Sequence, residues 1–166
     1  MIYVLLHIFG TIVTLFFIFL ISGFLFQVKW GYKRLDEILE LAAIEKGIRT
    51  EDMFKKEHNS EMCGYLYEKY SSDRFVNRLS DMFRPILLTI DYIGYIVQCG
   101  VVVMITWIAF TDGLEIAKLA WLAVPIALFF IIIHRAIFWM CYLLTGRSAG
   151  EAKSMRKLVS EQIRIN

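Results

Sequence analysis

Three long apolar runs divide this chain, and one polar segment and one short turn separate them. One of these runs is Leu119–Leu144, in which Arg135, beside His134, is the only charged side chain. About 20 apolar residues are enough for a helix to cross the hydrocarbon core of a bilayer. Residues 1–28 and 86–110 form runs of similar length. The pattern therefore predicts an all-α membrane protein with three transmembrane helices.

The polar segment, residues 29–85, carries apolar side chains at helical spacing. It contains 11 basic and 11 acidic side chains and is neutral overall. Three stripes recur every three or four residues, and they are Tyr32, Leu35, Ile38, Leu39 and Ala42, then Met62, Leu66 and Tyr70, then Phe75, Leu79, Met82 and Phe83. These stripes predict a helical insertion between the first two spans. The last stripe predicts a surface helix leading into the second span, which Pro85 opens because a helix start needs no N–H there.

The tail, residues 145–166, predicts one more helix. Ser148 and Glu151 have the spacing of a capping box, in which two side chains satisfy the first N–H groups of a helix. Basic side chains follow, among them Lys153, Arg156 and Lys157. A basic amphipathic helix suits the anionic inner leaflet of a membrane, so we expect these three residues to anchor the tail there.

The basic residues also predict the orientation of the spans. The polar segment and the tail hold 16 of the 18 lysines and arginines, whereas the turn 111–118 holds Lys118 alone. Because basic residues collect on the cytoplasmic side, the N-terminus is predicted outside and the C-terminus inside. The inner interface after the first span is marked by Lys29, Trp30, Lys33 and Arg34. These features predict a multi-pass protein of a bacterial inner membrane that has the lipid bilayer as one of its partners.

Composition argues against several classes of function. The chain is 58% hydrophobic, with a mean hydropathy of +0.56. Its three cysteines are odd in number and far apart, which fits neither a disulfide framework nor a zinc site. The sequence contains no phosphate loop, no metalloprotease motif and no nucleophile elbow. We therefore predict a protein that is not an enzyme, that needs no cofactor and that binds no nucleic acid, since acidic residues cancel the positive charge of the polar segment.

Polar residues inside the spans are the candidate contact site. Asp91, Tyr95 and Gln98 share one helical face and should point inward. His134 shares a face with three alanines, while Arg135 lies about 100° round the same helix. Asp91 could pair with either of them. Three roles stay open for these five residues: a structural clasp between spans, a contact with another subunit or partner, and a proton or ion pathway.

In overall plan the chain resembles small three-span exclusion and immunity proteins of bacterial inner membranes, which block phage superinfection or conjugative entry. The resemblance rests on three spans, a charged cytoplasmic loop and the lack of a catalytic motif. It implies a protein that binds a foreign channel, toxin or DNA-delivery protein and blocks it. Two alternatives are a structural subunit of a secretion or pilus complex, and a small homo-oligomeric channel lined by Asp91, Gln98 and His134.

Overall fold

The structure, a computed structural model, describes residues 2–26, 33–71 and 74–165, and every regular element in these ranges is helical. The α-helices are α1 (Ile2–Phe26), α2 (Lys33–Lys46), α3 (Asn59–Lys69), α4 (Phe75–Thr111), α5 (Ala123–Thr145) and α6 (Glu151–Ile165). Two 3₁₀ helices, Thr50–Asp52 and Leu114–Leu122, complete the set. The predicted all-α fold class is therefore confirmed for the described part of the chain.

Three of the described helical segments are long and apolar enough to cross a membrane. They are Ile2–Phe24, Phe75–Thr111 and Glu115–Thr145. The prediction of a multi-pass membrane protein is confirmed to this extent. The third segment begins before the predicted Leu119, because the 3₁₀ helix Leu114–Leu122 leads directly into α5.

The 3₁₀ helix before α5 is nine residues long, whereas most such helices last three or four residues. With three residues per turn, Ala117, Ala120 and Ala123 line up as one ridge, and all three are fully buried. Ala117 packs with Val4 of α1 and Ala109 of α4. A ridge of methyl groups lets neighbouring helices approach closely, which supports this tighter winding.

Helix α4 corrects the prediction that Pro85 begins the second span. The helix runs without a break from Phe75 to Thr111 and contains Pro85 in its interior. Its buried positions keep one helical phase on both sides of the proline, and they are Asn77, Ser80, Phe83, Leu87, Gly94, Gln98, Ile105 and Ala109. Because Pro85 is exposed, its ring does not interrupt this stripe.

Of the predicted apolar stripe at the start of α4, Phe83 is buried, and the prediction that the stripe lies on a membrane surface stays a prediction. Phe75 and Met82 are exposed, while Asn77 and Ser80 are buried. The polar pair lies inward because it satisfies backbone groups. Asn77 Nδ2 donates to the carbonyl oxygen of Ser71, and Ser80 Oγ donates to the carbonyl oxygen of Ser148 at 2.6 Å.

The chain divides into two compact units. The span unit comprises Met1–Leu25 and Ile86–Ile137, and the loop–tail unit comprises Phe26–Pro85 and Phe138–Asn166. The loop–tail unit has its own apolar core, whose buried members are Ile38, Ala42, Ala43, Met53, Met62, Cys63, Leu66, Tyr70, Ala152, Met155 and Val159. The first two stripes of the polar segment thus pack as the sequence predicts, apart from Tyr32, which lies outside the described residues.

Helix α6 takes part in that core. Its apolar face, with Ala152, Met155 and Val159, packs against α3. A protein surface therefore covers the face that the sequence assigned to the membrane. At the start of α6, the Ser148 N–H donates to Glu151 Oε2 at 2.9 Å, as the predicted capping box requires. In a capping box the serine hydroxyl accepts a hydrogen bond from a backbone N–H. Here the Ser148 hydroxyl instead donates to Glu151 Oε2, at 3.0 Å.

Candidate functional site

The span unit joins Asp91 of α4 to His134 of α5. Asp91 Oδ1 lies 2.8 Å from His134 Nδ1, and both side chains are half-buried. Three of the alanines on the His134 side of the helix, Ala120, Ala123 and Ala127, have no exposed surface. Their small side chains leave the helices close enough for a short polar contact.

Arg135 contacts a different helix. Its Nη2 donates to the carbonyl oxygen of Ser22 at 2.9 Å and to Ser22 Oγ at 3.0 Å. Adjacent residues of an α-helix point about 100° apart, so when His134 faces α4, Arg135 faces α1. Ser22 was not among the predicted site residues, although a small hydroxyl within an apolar run is a common hydrogen-bonding partner between membrane helices.

A third polar contact, which was not predicted, lies at the other end of α1. Trp121 Nε1 donates to His7 Nδ1 at 3.1 Å. Together with the Arg135–Ser22 bonds, this contact ties α1 to the third span at two levels, near Ser22 and near His7.

Gln98 and Tyr95, the other two predicted site residues, differ in how far they are buried. Gln98 is buried, with 4% of its surface exposed, and its Nε2 has no hydrogen-bond partner among the described residues. Tyr95 is 47% exposed and rests its ring against Phe19 of α1, with the ring centres 5.1 Å apart. The prediction that these side chains point inward therefore holds for Gln98 and for half-buried Asp91. It does not hold for Tyr95, which directly follows the buried Gly94 and so points away from the buried face of α4.

The loop–tail unit has its own buried polar cluster, centred on Glu151. The carboxylate accepts a hydrogen bond from Tyr70 Oη at 3.3 Å and lies 3.5 Å from Arg34 Nε. Burial, with the nearby Glu151 carboxylate, raises the pKa of Tyr70 to about 12. The Arg147 guanidinium stacks over the Tyr70 ring, 4.5 Å from its centre. This cluster fixes the N-terminus of α6 against residues distant in the sequence.

The predicted membrane anchors fall into three groups. Arg34 and Arg156 are turned toward protein, because Arg34 Nη2 donates to the carbonyl oxygen of Gly146 at 3.2 Å and Arg156 pairs with Asp81. Lys153 and Lys157 are exposed, so membrane anchoring stays a prediction for these two. Lys29 and Trp30, and the side chain of Lys33, lie outside the described residues.

Helix α2 has an exposed face that combines apolar and acidic residues. Leu41 and Ile44 are 59% and 68% exposed, and Glu37 and Glu40 are exposed on the same side. The spacing i, i+3, i+4 and i+7 places these four residues on one face of the helix. Only the opposite, buried face of α2 was predicted, although Leu41 and Ile44, which do not fit that stripe, were a usable signal.

The described residues contain no group of three histidine, cysteine, aspartate or glutamate side chains arranged to hold a metal ion. Cys63 and Cys141 are buried free thiols, while the free thiol of Cys99 is exposed. Comparison of the chain with protein-family models, curated proteins and solved structures found no match.

Proposed function

We propose that this chain is a non-enzymatic protein of a bacterial inner membrane that binds another membrane or translocating protein, as an exclusion or immunity factor does. In this proposal the N-terminus is outside, the C-terminus is inside, and the loop–tail unit faces the cytoplasm. A partner protein would meet the loop–tail unit there, and the spans would hold that unit at the membrane surface.

The observation that carries the proposal is the exposed face of α2. Leu41 and Ile44 present aliphatic side chains to solvent beside the carboxylates of Glu37 and Glu40. An anionic membrane surface repels acidic side chains, so this face is poorly suited to lie on lipid. A protein segment with apolar and basic residues complements it in both respects.

The polar residues of the spans support a binding role over a conducting one. Asp91 contacts His134, Arg135 contacts Ser22, and each of these bonds joins two helices of the same chain. A proton or ion pathway needs polar groups that face a water-filled cavity. Polar groups that bond neighbouring helices act instead to fix how those helices pack.

The test is protection of cells that express the chain alone from a plasmid. We expect such cells to resist a phage or a conjugative element, measured as plating efficiency and transfer frequency. The double variant Leu41→Ser/Ile44→Ser should abolish resistance at unchanged protein level. Losing two partly buried aliphatic contacts costs about 2 to 3 kcal/mol, which corresponds to roughly 30- to 150-fold weaker binding.

Tyr67→Ser is the matched control, since Tyr67 is an equally exposed apolar residue on α3 of the same unit. Resistance should survive this change. If no phage or element is excluded and the chain co-purifies with neighbours in fixed ratio, it is a structural subunit of a membrane complex. If liposomes that contain the chain pass ions and Asp91→Asn stops the flux, it is a channel.

A further inference from the structure

The start of α4 carries an exposed face that is basic and apolar. Phe75 and Met82 are 77% and 62% exposed, and Arg78 is exposed between them. Their spacing i, i+3 and i+7 places these three residues on one face of the helix. Arg74, also exposed, extends that face by one turn, because its carbonyl oxygen accepts a hydrogen bond from the Arg78 N–H at 3.1 Å. These four residues form the α4 face.

The α4 face is the chemical complement of the exposed face of α2. The α2 face presents two carboxylates, from Glu37 and Glu40, beside the aliphatic side chains of Leu41 and Ile44. The α4 face presents two guanidinium groups beside an aromatic ring and a thioether chain. Each face is about two helical turns long. One chain therefore carries both halves of a contact that is complementary in charge and apolar in the remaining positions.

A polar cavity in the loop–tail unit joins the ends of the two faces. Its volume is about 240 Å³, and the described residues that line it are Glu45, Tyr65, Glu68, Lys69 and Arg74. Glu45 directly follows Ile44, the last residue of the α2 face, and Arg74 is the first residue of the α4 face. Because both side chains reach one cavity, the two faces are neighbours on the surface of this unit.

The opposite charges of the two faces favour a protein over a lipid surface as their occupant. The cytoplasmic leaflet of a membrane has a negative surface potential. An anionic surface laid over both faces would be attracted at Arg74 and Arg78 but repelled at Glu37 and Glu40. The charges that the structure describes at the cavity between the faces cancel, two carboxylates against two cationic side chains. A second copy of the chain instead offers each face the opposite charge.

We propose that the α2 face of one copy of this chain binds the α4 face of a second copy. A two-fold axis that passes between the two faces brings each α2 face onto the α4 face of the other copy, so the contact forms twice. The carboxylates of one face then meet the guanidinium groups of the other, and the apolar side chains pack beside them.

This inference rests on the proposed function, in which the α2 face is a contact surface, and it adds the chemistry of the partner. A foreign protein has to displace the second copy before it reaches the α2 face. The segment that binds there should therefore resemble the α4 face, with arginines one helical turn apart beside large apolar side chains.

The test is the association of charge-reversed copies. Energy transfer between copies that carry donor and acceptor labels is measured in lipid vesicles at varied protein-to-lipid ratio. Glu37→Lys/Glu40→Lys makes the α2 face basic, and Arg74→Glu/Arg78→Glu makes the α4 face acidic. Either variant alone places like charges opposite each other at both contacts of the pair, so its association should weaken at least about tenfold.

The two variants should restore association when they are mixed. In the mixed pair, the basic α2 face of one variant meets the acidic α4 face of the other, and the two unchanged faces meet at the second contact. Energy transfer between the two variants should therefore return to near the native level. A misfolded variant cannot produce this rescue, so the mixture separates a lost contact from a lost fold.

Glu51→Lys/Glu57→Lys is the matched control. Both carboxylates are exposed and lie outside α2, in the same loop–tail unit. This variant changes the net charge by the same amount as Glu37→Lys/Glu40→Lys, and it should associate as the native chain does.

Four outcomes overturn the inference. One is a native chain that stays monomeric at high protein-to-lipid ratio. A second is equal weakening by the control variant, which would show an effect of net charge alone. A third is a mixture of the two reversed variants that associates no better than either variant by itself. The fourth is an anionic lipid that the native monomer retains in native mass spectrometry and that Arg74→Glu/Arg78→Glu loses.

The inference and the proposed function fail separately. Energy transfer reports self-association, whereas plating efficiency and transfer frequency report protection of cells. Association without protection contradicts the proposed function alone, and protection without association contradicts the pairing of the α2 and α4 faces alone.

Discussion

The contact between Asp91 and His134 makes a quantitative prediction about how the spans hold together. Hydrogen bonds between membrane helices contribute about 0.6 kcal/mol on average and up to about 2 kcal/mol. The contact is short, at 2.8 Å, and both groups are half-buried. We therefore expect a coupling free energy of about 1 to 2 kcal/mol.

The measurement is a double-mutant cycle. Asp91→Ala, His134→Ala and the double variant are unfolded in mixed micelles by increasing SDS, and tryptophan fluorescence reports the loss of packing. The double variant should be less destabilised than the sum of the two single variants by the coupling energy. As the control, Asp91→Ala is combined with Trp121→Phe, which removes the bond to His7 at another level of the unit.

The hydrogen bonds that the structure describes for Trp121 and Asp91 go to different residues, His7 and His134, so the effects of the control pair should add within about 0.5 kcal/mol. A coupling below about 0.3 kcal/mol for Asp91 and His134 would refute the idea that this contact fixes the packing of α4 on α5. Coupling of similar size in the control pair would show that the cycle reports a general loosening of the helices.

Three further predictions concern single sites. A Cβ at Gly94 would lie 3.0 Å from Phe130 Cγ, so Gly94→Leu should separate α4 from α5 and cost at least about 2 kcal/mol by SDS unfolding, whereas Gly94→Ala costs less. Gly150 has φ +75°, and a Cβ there would lie 2.6 Å from a neighbouring side chain, so Gly150→Ala should lower the free energy of unfolding by about 1 to 2 kcal/mol, measured by thermal denaturation. The raised pKa of Tyr70, about 12 against an ordinary 10, means that its stabilisation is complete below pH 10 and lost as pH rises toward 12. The melting temperature, measured as a function of pH, should therefore fall above pH 10. In Tyr70→Phe, which lacks the hydroxyl that donates to Glu151, the melting temperature should fall less steeply. An equally steep fall in both proteins would contradict the reasoning.

The sequence by itself determined the class of the protein and the buried stripes of the loop–tail unit. Three apolar runs predict three helices long enough to cross a membrane, because length and hydropathy are local properties of the chain. Ile38 and Ala42, like Met62 and Leu66, are buried at the positions that helical spacing assigns to them. The link between Ser148 and Glu151 was likewise predictable, since it joins residues three apart.

The tertiary structure alone decided which partner each polar residue takes. Asp91 had two candidates on α5, and the rotation of that helix brings His134 to Asp91 and Arg135 to Ser22. Arg156 reads as a membrane anchor in sequence, but Asp81, 75 residues earlier, binds it in the fold. Such pairings depend on how far each helix is rotated and displaced against its neighbours. The rotation and displacement of each helix are set by packing between segments that are distant in the sequence. They cannot be predicted from the spacing of residues within one helix.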